Sequence, residues 1–123
     1  MSTLAYVALG SALGAPARYL LDRVIQSRRE GVFPWGTWAI NISGCFALGL
    51  LVGLAQGHVV DARLMTAAAT GFLGSYTTFS TFTWETMRLV EDGAFVEALL
   101  NITVSAVLGV AAAAGGLLLG AVW

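Results

Sequence analysis

An all-α membrane protein with four transmembrane helices, the third broken near its middle, is predicted by three observations. The chain is 58% apolar and only 11% charged over 123 residues, with a mean hydropathy of +0.81, outside the usual range of water-soluble domains. Four apolar runs are separated by short polar connections. Finally, the stretch Gly71 to Glu85 gathers two glycines, a series of hydroxyls and a carboxylate inside an otherwise apolar segment. In lipid each hydroxyl, and each backbone group that a broken helix releases, needs a partner away from hydrocarbon. Such a stretch reads as a conduction or binding site.

The same composition narrows the function. Six arginines and no lysine, at a formal net charge of -1, form no basic patch, so nucleic-acid binding has no electrostatic footprint. The single cysteine, Cys45, lies within an apolar run and leaves neither a disulfide nor a Cys/His cluster for a metal. The single histidine, His58, sits in a polar connection beside Asp61 and Arg63 and is read as a solvated loop residue.

One domain, residues 1-123, is expected, with spans at about 4-24, 35-55, 63-89 and 95-121. At about 1.5 Å per residue the first run approaches the ~30 Å of the hydrocarbon core. The Met1-Ser2-Thr3 start carries no Lys or Arg, which argues against a cleaved leader. Gly10 and Gly14, continued by Ser11 and Ala15, give this run a small face suited to close helix packing. Arg18 either snorkels to the interface from the helix end or lines a water-filled entrance.

Asp22 to Pro34 is polar, and Pro34, Trp35, Gly36 and Trp38 then open the second span with residues suited to a first turn and to the membrane interface. Asn41 lies in its first third, with Thr37 one turn before it. The amide serves either an interhelical hydrogen bond or a pore-lining donor. Gly49, Gly53 and Gly57 form a second small face. The third segment, from near Arg63 to about Leu89, is long for one span, and a break between Gly74 and Thr78 divides it into two half-helices. Such a break offers free N–H groups at one new terminus and free carbonyls at the other. In the fourth span Asn101, Ser105 and Gly109 recur every four residues on one stripe, as helix-helix glue or as part of a polar track, and Gly116 and Gly120 continue the small pattern. Four short helices bury little by themselves, so oligomerisation is expected.

No Ser-His-Asp or Cys-His set, paired carboxylates, phosphate loop or metal-ligand spacing is present, so the chain is read as not an enzyme. Its interior polar groups are hydroxyls and amides, which replace the water around a small anion without a fixed positive charge that would trap it. Thr78, Ser80, Thr81, Asn41, Asn101 and Ser105 are the candidate donors. Phe79 and Phe82 can add the positive edges of their rings, or simply pack.

These residues resemble a known family. Gly14-Ala15-Pro16-Ala17-Arg18-Tyr19, Trp35 to Gly44 and above all Gly71-Phe72-Leu73-Gly74-Ser75-Tyr76-Thr77-Thr78-Phe79-Ser80-Thr81-Phe82 with Glu85 are similar to the CrcB/Fluc fluoride channels of microbes, over essentially the whole length. The resemblance implies an antiparallel, dual-topology homodimer in the bacterial inner membrane. Its function would be a fluoride-selective channel that passively exports fluoride and so protects the cytoplasm. It places the fluoride pathway on Asn41, Phe79, Ser80, Thr81 and Phe82, the vestibule on Arg18 and Glu85, and a structural Na+ on the backbone carbonyls of Gly74 and Thr77 from both subunits. One break offers about two carbonyls, too few for a hard cation, and a twofold axis doubles them. Ser75-Tyr76 replaces the more usual Gly-apolar pair, and Asn101 stands where the family often has an aromatic hydroxyl.

Arg23, Arg28, Arg29 and Arg88 fall on the side opposite the termini and Arg63 on the same side, a bias that taken alone favours one orientation with the termini outside. The alternative function is a small dual-topology multidrug or proton-coupled exporter. It requires a titratable acid deep in a span, whereas the first two runs hold none and Glu85 lies toward a helix end. A non-transporting scaffold subunit would explain the small faces but not the hydroxyl run.

Overall fold

The computed structural model describes residues 1–123, and it is all-helical. Helix α1 spans Thr3–Ser27. It begins where the Ser2 hydroxyl accepts the Ala5 backbone N–H at 3.3 Å, which satisfies one of the free donors of a first turn. It continues through Pro16 without interruption. Helix α2 spans Trp35–Gln56 and begins directly after Pro34, whose fixed φ suits a helix start. A short α3, Ala62–Met65, is capped by Asp61, whose carboxylate accepts the Leu64 N–H at 2.7 Å. It runs into a π-helical stretch, Thr66–Leu73, and a single turn, α4, Gly74–Tyr76. Thr77 and Thr78 are extended, and α5 then spans Phe79–Glu91. Helix α6 spans Phe95–Gly120.

By length and composition α1, α2 and α6 can each cross a membrane. The third segment is divided into pieces, so none of them alone is long enough.

Glycine decides which helices meet. Helix α2 packs most extensively on α6, and α1 on the π-helical stretch. Along the α2/α6 seam the contact is reciprocal: Gly49 and Gly53 face the Ala113 and Leu117 carbonyls, while Gly116 and Gly120 face those of Phe46 and Leu50. Any side chain at these four positions would run into backbone, which is how small residues let two helices approach. Gly10 and Gly71 play the same part between α1 and the third segment, against Ala67 and Val7. Gly57, which the sequence places on the same face as Gly49 and Gly53, instead ends α2 as its cap residue.

Between these two helix pairs lies a small core of Ile40, Leu73 and Tyr76, with Phe72 packed on it. The Tyr76 ring stacks on Phe72 at 5.6 Å, and its hydroxyl meets Ser43 Oγ at 3.0 Å, so the polar tip of the buried ring is satisfied. Only 20 of 123 residues are buried. Most apolar side chains therefore face outward, a surface that water does not tolerate at this extent and that lipid or another protein chain must cover.

Candidate functional site

The residues that hold a site are set by what happens at Thr77 and Thr78. Thr77 closes the preceding turn: its N–H and its hydroxyl both donate to the Leu73 carbonyl at 2.9 Å. Thr78 leaves the helix. In a continuous helix its N–H would bond to the Gly74 carbonyl, but here it donates to Asn41 Oδ1 at 2.8 Å, and Asn41 Nδ2 returns a bond to the Thr78 carbonyl at 2.8 Å. One amide on α2 thus satisfies both backbone groups of an extended residue, as the interior of a membrane protein demands. The Thr78 hydroxyl then starts α5 by accepting the Thr81 N–H at 3.2 Å. That N–H would otherwise bond to the Thr77 carbonyl. Gly74 and Thr77 therefore both lose their usual helical partners, for causes that can be named.

This corner opens on a cleft of about 530 Å³ between α2, the third segment and α6. Of the pathway candidates, Asn41, Thr78, Phe79, Phe82 and Ser105 line it, and the candidate cation carbonyls of Gly74 and Thr77 belong to residues of the same wall. The two rings lie 6.0 Å apart at 35°, and Phe79 is 79% exposed. Ser105 Oγ is buried without a hydrogen-bond partner. Ser80, Thr81 and Asn101 do not line the cleft. Thr78 Oγ1 donates to Thr81 Oγ1 at 3.0 Å and lies 3.4 Å from Ser80 Oγ, so the three hydroxyls form one connected group leading away from the cleft. Asn101 is 1% exposed and donates from Nδ2 to Thr86 Oγ1 at 2.9 Å.

Glu85 belongs elsewhere. It lines a second, polar cavity of about 320 Å³ together with Asp22, Gln26, Arg88 and Asp92, and its Oε1 accepts a bond from Thr37 Oγ1 at 2.9 Å. Arg18 lines neither cavity.

The sequence did not single out Gly44, Cys45 or Thr86. Gly44 is filled from across the seam by the Thr77 methyl, and both Gly44 and Cys45 line the cleft. Both fall about one turn after Asn41, on the face that its position defines. Thr86 lies four residues after Phe82, a spacing at which a hydroxyl reaches back to a carbonyl; its Oγ1 donates to Phe82 O at 2.7 Å.

The fold and this lining define a small helical membrane protein whose interior hydroxyls and amides gather beside a cleft between its helices. The chain belongs to the CrcB family: the model described as "CrcB-like protein, Camphor Resistance (CrcB)" matches residues 5–117. It is similar to the fluoride-specific ion channel FluC 1 of Streptomyces avermitilis, 47% identical over 110 residues that cover 89% of each chain. It is also similar to FluC 1 of Frankia casuarinae, 42% identical over 123 residues with 95% of each chain covered. FluC of Magnetococcus marinus is 44% identical over 118 residues, covering 95% of this chain and 96% of the relative.

Proposed function

We propose that this chain is a fluoride-selective ion channel that carries fluoride passively out of the cell. The observation that carries this reading is the near full-length similarity to proteins named as fluoride-specific channels, joined to a cleft whose polar groups are neutral hydroxyls and an amide beside two phenylalanine rings. Fluoride holds its water tightly, and a pathway must replace that shell with donors while leaving the ion free to depart. The pathway runs along Phe79, Phe82, Thr78 and Ser105, with Ser80, Thr81 and Asn41 supporting it. Glu85 and Arg18 belong to the vestibule. A channel of this kind makes and breaks no covalent bond, so no catalytic group is assigned.

The working unit in this reading is an antiparallel, dual-topology homodimer in the bacterial inner membrane, its third span broken at Thr77 and Thr78. The outward apolar surface supports a protein or lipid partner, and the exposed Phe79 is open to a second copy. A structural Na+ suits the donor set: the Gly74 and Thr77 carbonyls have each lost a helical partner, and oxygen is the ligand a hard cation takes. Two chains supply the four carbonyls that one chain lacks. These residues would hold the ion, and when bound it would fix the two breaks against each other.

Efflux from liposomes, monitored with a fluoride electrode, tests the reading. Fluoride is expected to leave rapidly while chloride is retained; no fluoride efflux, or chloride efflux at the same rate, would overturn it.

A further inference from the structure

Helix α5 carries both rings of the cleft, yet apolar packing holds it weakly: only Thr86 and Leu89 of its residues are buried. Hydrogen bonds take over that task. Asn41 clamps the residue that starts it, Thr37 bonds to Glu85, and Asn101 bonds to Thr86. The first two come from α2. The third is the only side-chain hydrogen bond between α6 and α5.

The direction of that third bond is fixed by proton counting. The Thr86 hydroxyl has one hydrogen, and it goes to the Phe82 carbonyl at 2.7 Å. Nothing remains for Thr86 to donate to an asparagine oxygen, so Asn101 presents its N–H at 2.9 Å and its Oδ1 points away, buried and without a partner. An orphaned acceptor in a site 1% exposed costs stability. An apolar side chain of similar size would avoid the cost. What the amide supplies instead is direction, carried from α6 through Thr86 to the backbone of Phe82.

We infer that Asn101 is a positioning residue: acting through the Thr86 hydroxyl, it fixes the Phe82 carbonyl and with it the angle at which α5 presents its rings to the cleft. This rests on the cleft being the fluoride pathway. Asn101 itself does not touch the ion.

Four variants in liposomes test the link: Asn101→Ala, Thr86→Val, Thr86→Ser and the double Asn101→Ala/Thr86→Val. Each of the first two is expected to lower fluoride efflux about tenfold, Thr86→Ser to stay within about twofold of the parent, and the double variant to be no slower than either single one. Losses that add in the double variant, or parental efflux in Thr86→Val, would overturn the inference. A second measurement does not depend on transport. With 4-fluorophenylalanine at position 82, Asn101→Ala and Thr86→Val are expected to displace the ¹⁹F resonance to the same new position and Thr86→Ser to leave it in place. An unmoved resonance in folded Thr86→Val, a change that keeps side-chain shape, equally sinks the link. If the parent protein carries no fluoride, the pathway reading fails while the ¹⁹F comparison still decides the role of Asn101.

Discussion

Asn41 and Thr78, on different helices, exchange two hydrogen bonds of 2.8 Å, amide N–H to carbonyl and backbone N–H to amide oxygen. The pair does for one extended residue what a β-ladder does for a strand. It also sets two carbonyls free, because the N–H groups that would have bonded to Gly74 and Thr77 are engaged by Asn41 and by the Thr78 hydroxyl. Replacing Asn41 with Ala leaves both Thr78 backbone groups unsatisfied in a residue only 8% exposed. The expected loss is about 2 kcal/mol or more of stability, read as a lower unfolding temperature in detergent, with fluoride efflux falling in parallel.

Phe79 and Phe82 are 6.0 Å apart on the cleft wall. Phe79→Ile and Phe82→Ile keep apolar bulk but remove the ring edge that an anion can meet. Fluoride efflux is expected to drop in each variant while the protein elutes from a sizing column as the parent does. Unchanged efflux would make both rings packing residues.

A methyl group at Gly74 meets no heavy atom closer than the Ala69 carbonyl oxygen at 3.8 Å. Within one chain Gly74→Ala is therefore tolerated. If two copies meet here around Na+, the variant is expected to lose efflux or dimer stability although its fold is intact, and exchanging Na+ for a larger organic cation during purification is expected to do the same to the parent. Indifference in both experiments would remove the cation site.

The α2/α6 seam has no such room. Gly49→Val and Gly116→Val each drive a side chain into a facing backbone carbonyl and are expected to cost at least about 1–3 kcal/mol. Gly115, one residue away, faces open space, so Gly115→Ala is expected to raise helix stability by about 0.5–1 kcal/mol. Thermal unfolding of the three variants side by side checks the contrast.

The helices were legible because hydropathy and glycine spacing report directly on what a chain can bury: Gly49, Gly53, Gly116 and Gly120 mark a close seam wherever they recur every four residues. The cleft was legible in its outline, since a run of hydroxyls in an apolar segment needs an explanation. Which of those hydroxyls face the cleft was not. Ser80 and Thr81 are indistinguishable from Thr78 by residue type, and only the start of α5 turns them away from the wall. Asn101 looked like part of one stripe with Ser105, but its partner is Thr86, on a helix whose rotation the spacing within α6 cannot report. Pairings between helices depend on tertiary placement, and local pattern carries little information about them.

The π-helical stretch Thr66–Leu73 has a consequence for length. It is held at one end by the contact of Gly71 with the α1 backbone, and the chain beyond it is pinned where Asn41 grips Thr78. Adding or deleting one residue between those points would swing α5 by about 100°, turning Phe79 and Phe82 off the cleft wall. This part of the chain can therefore change its side chains more freely than it can change their number, and insertions or deletions belong in the connections at either end.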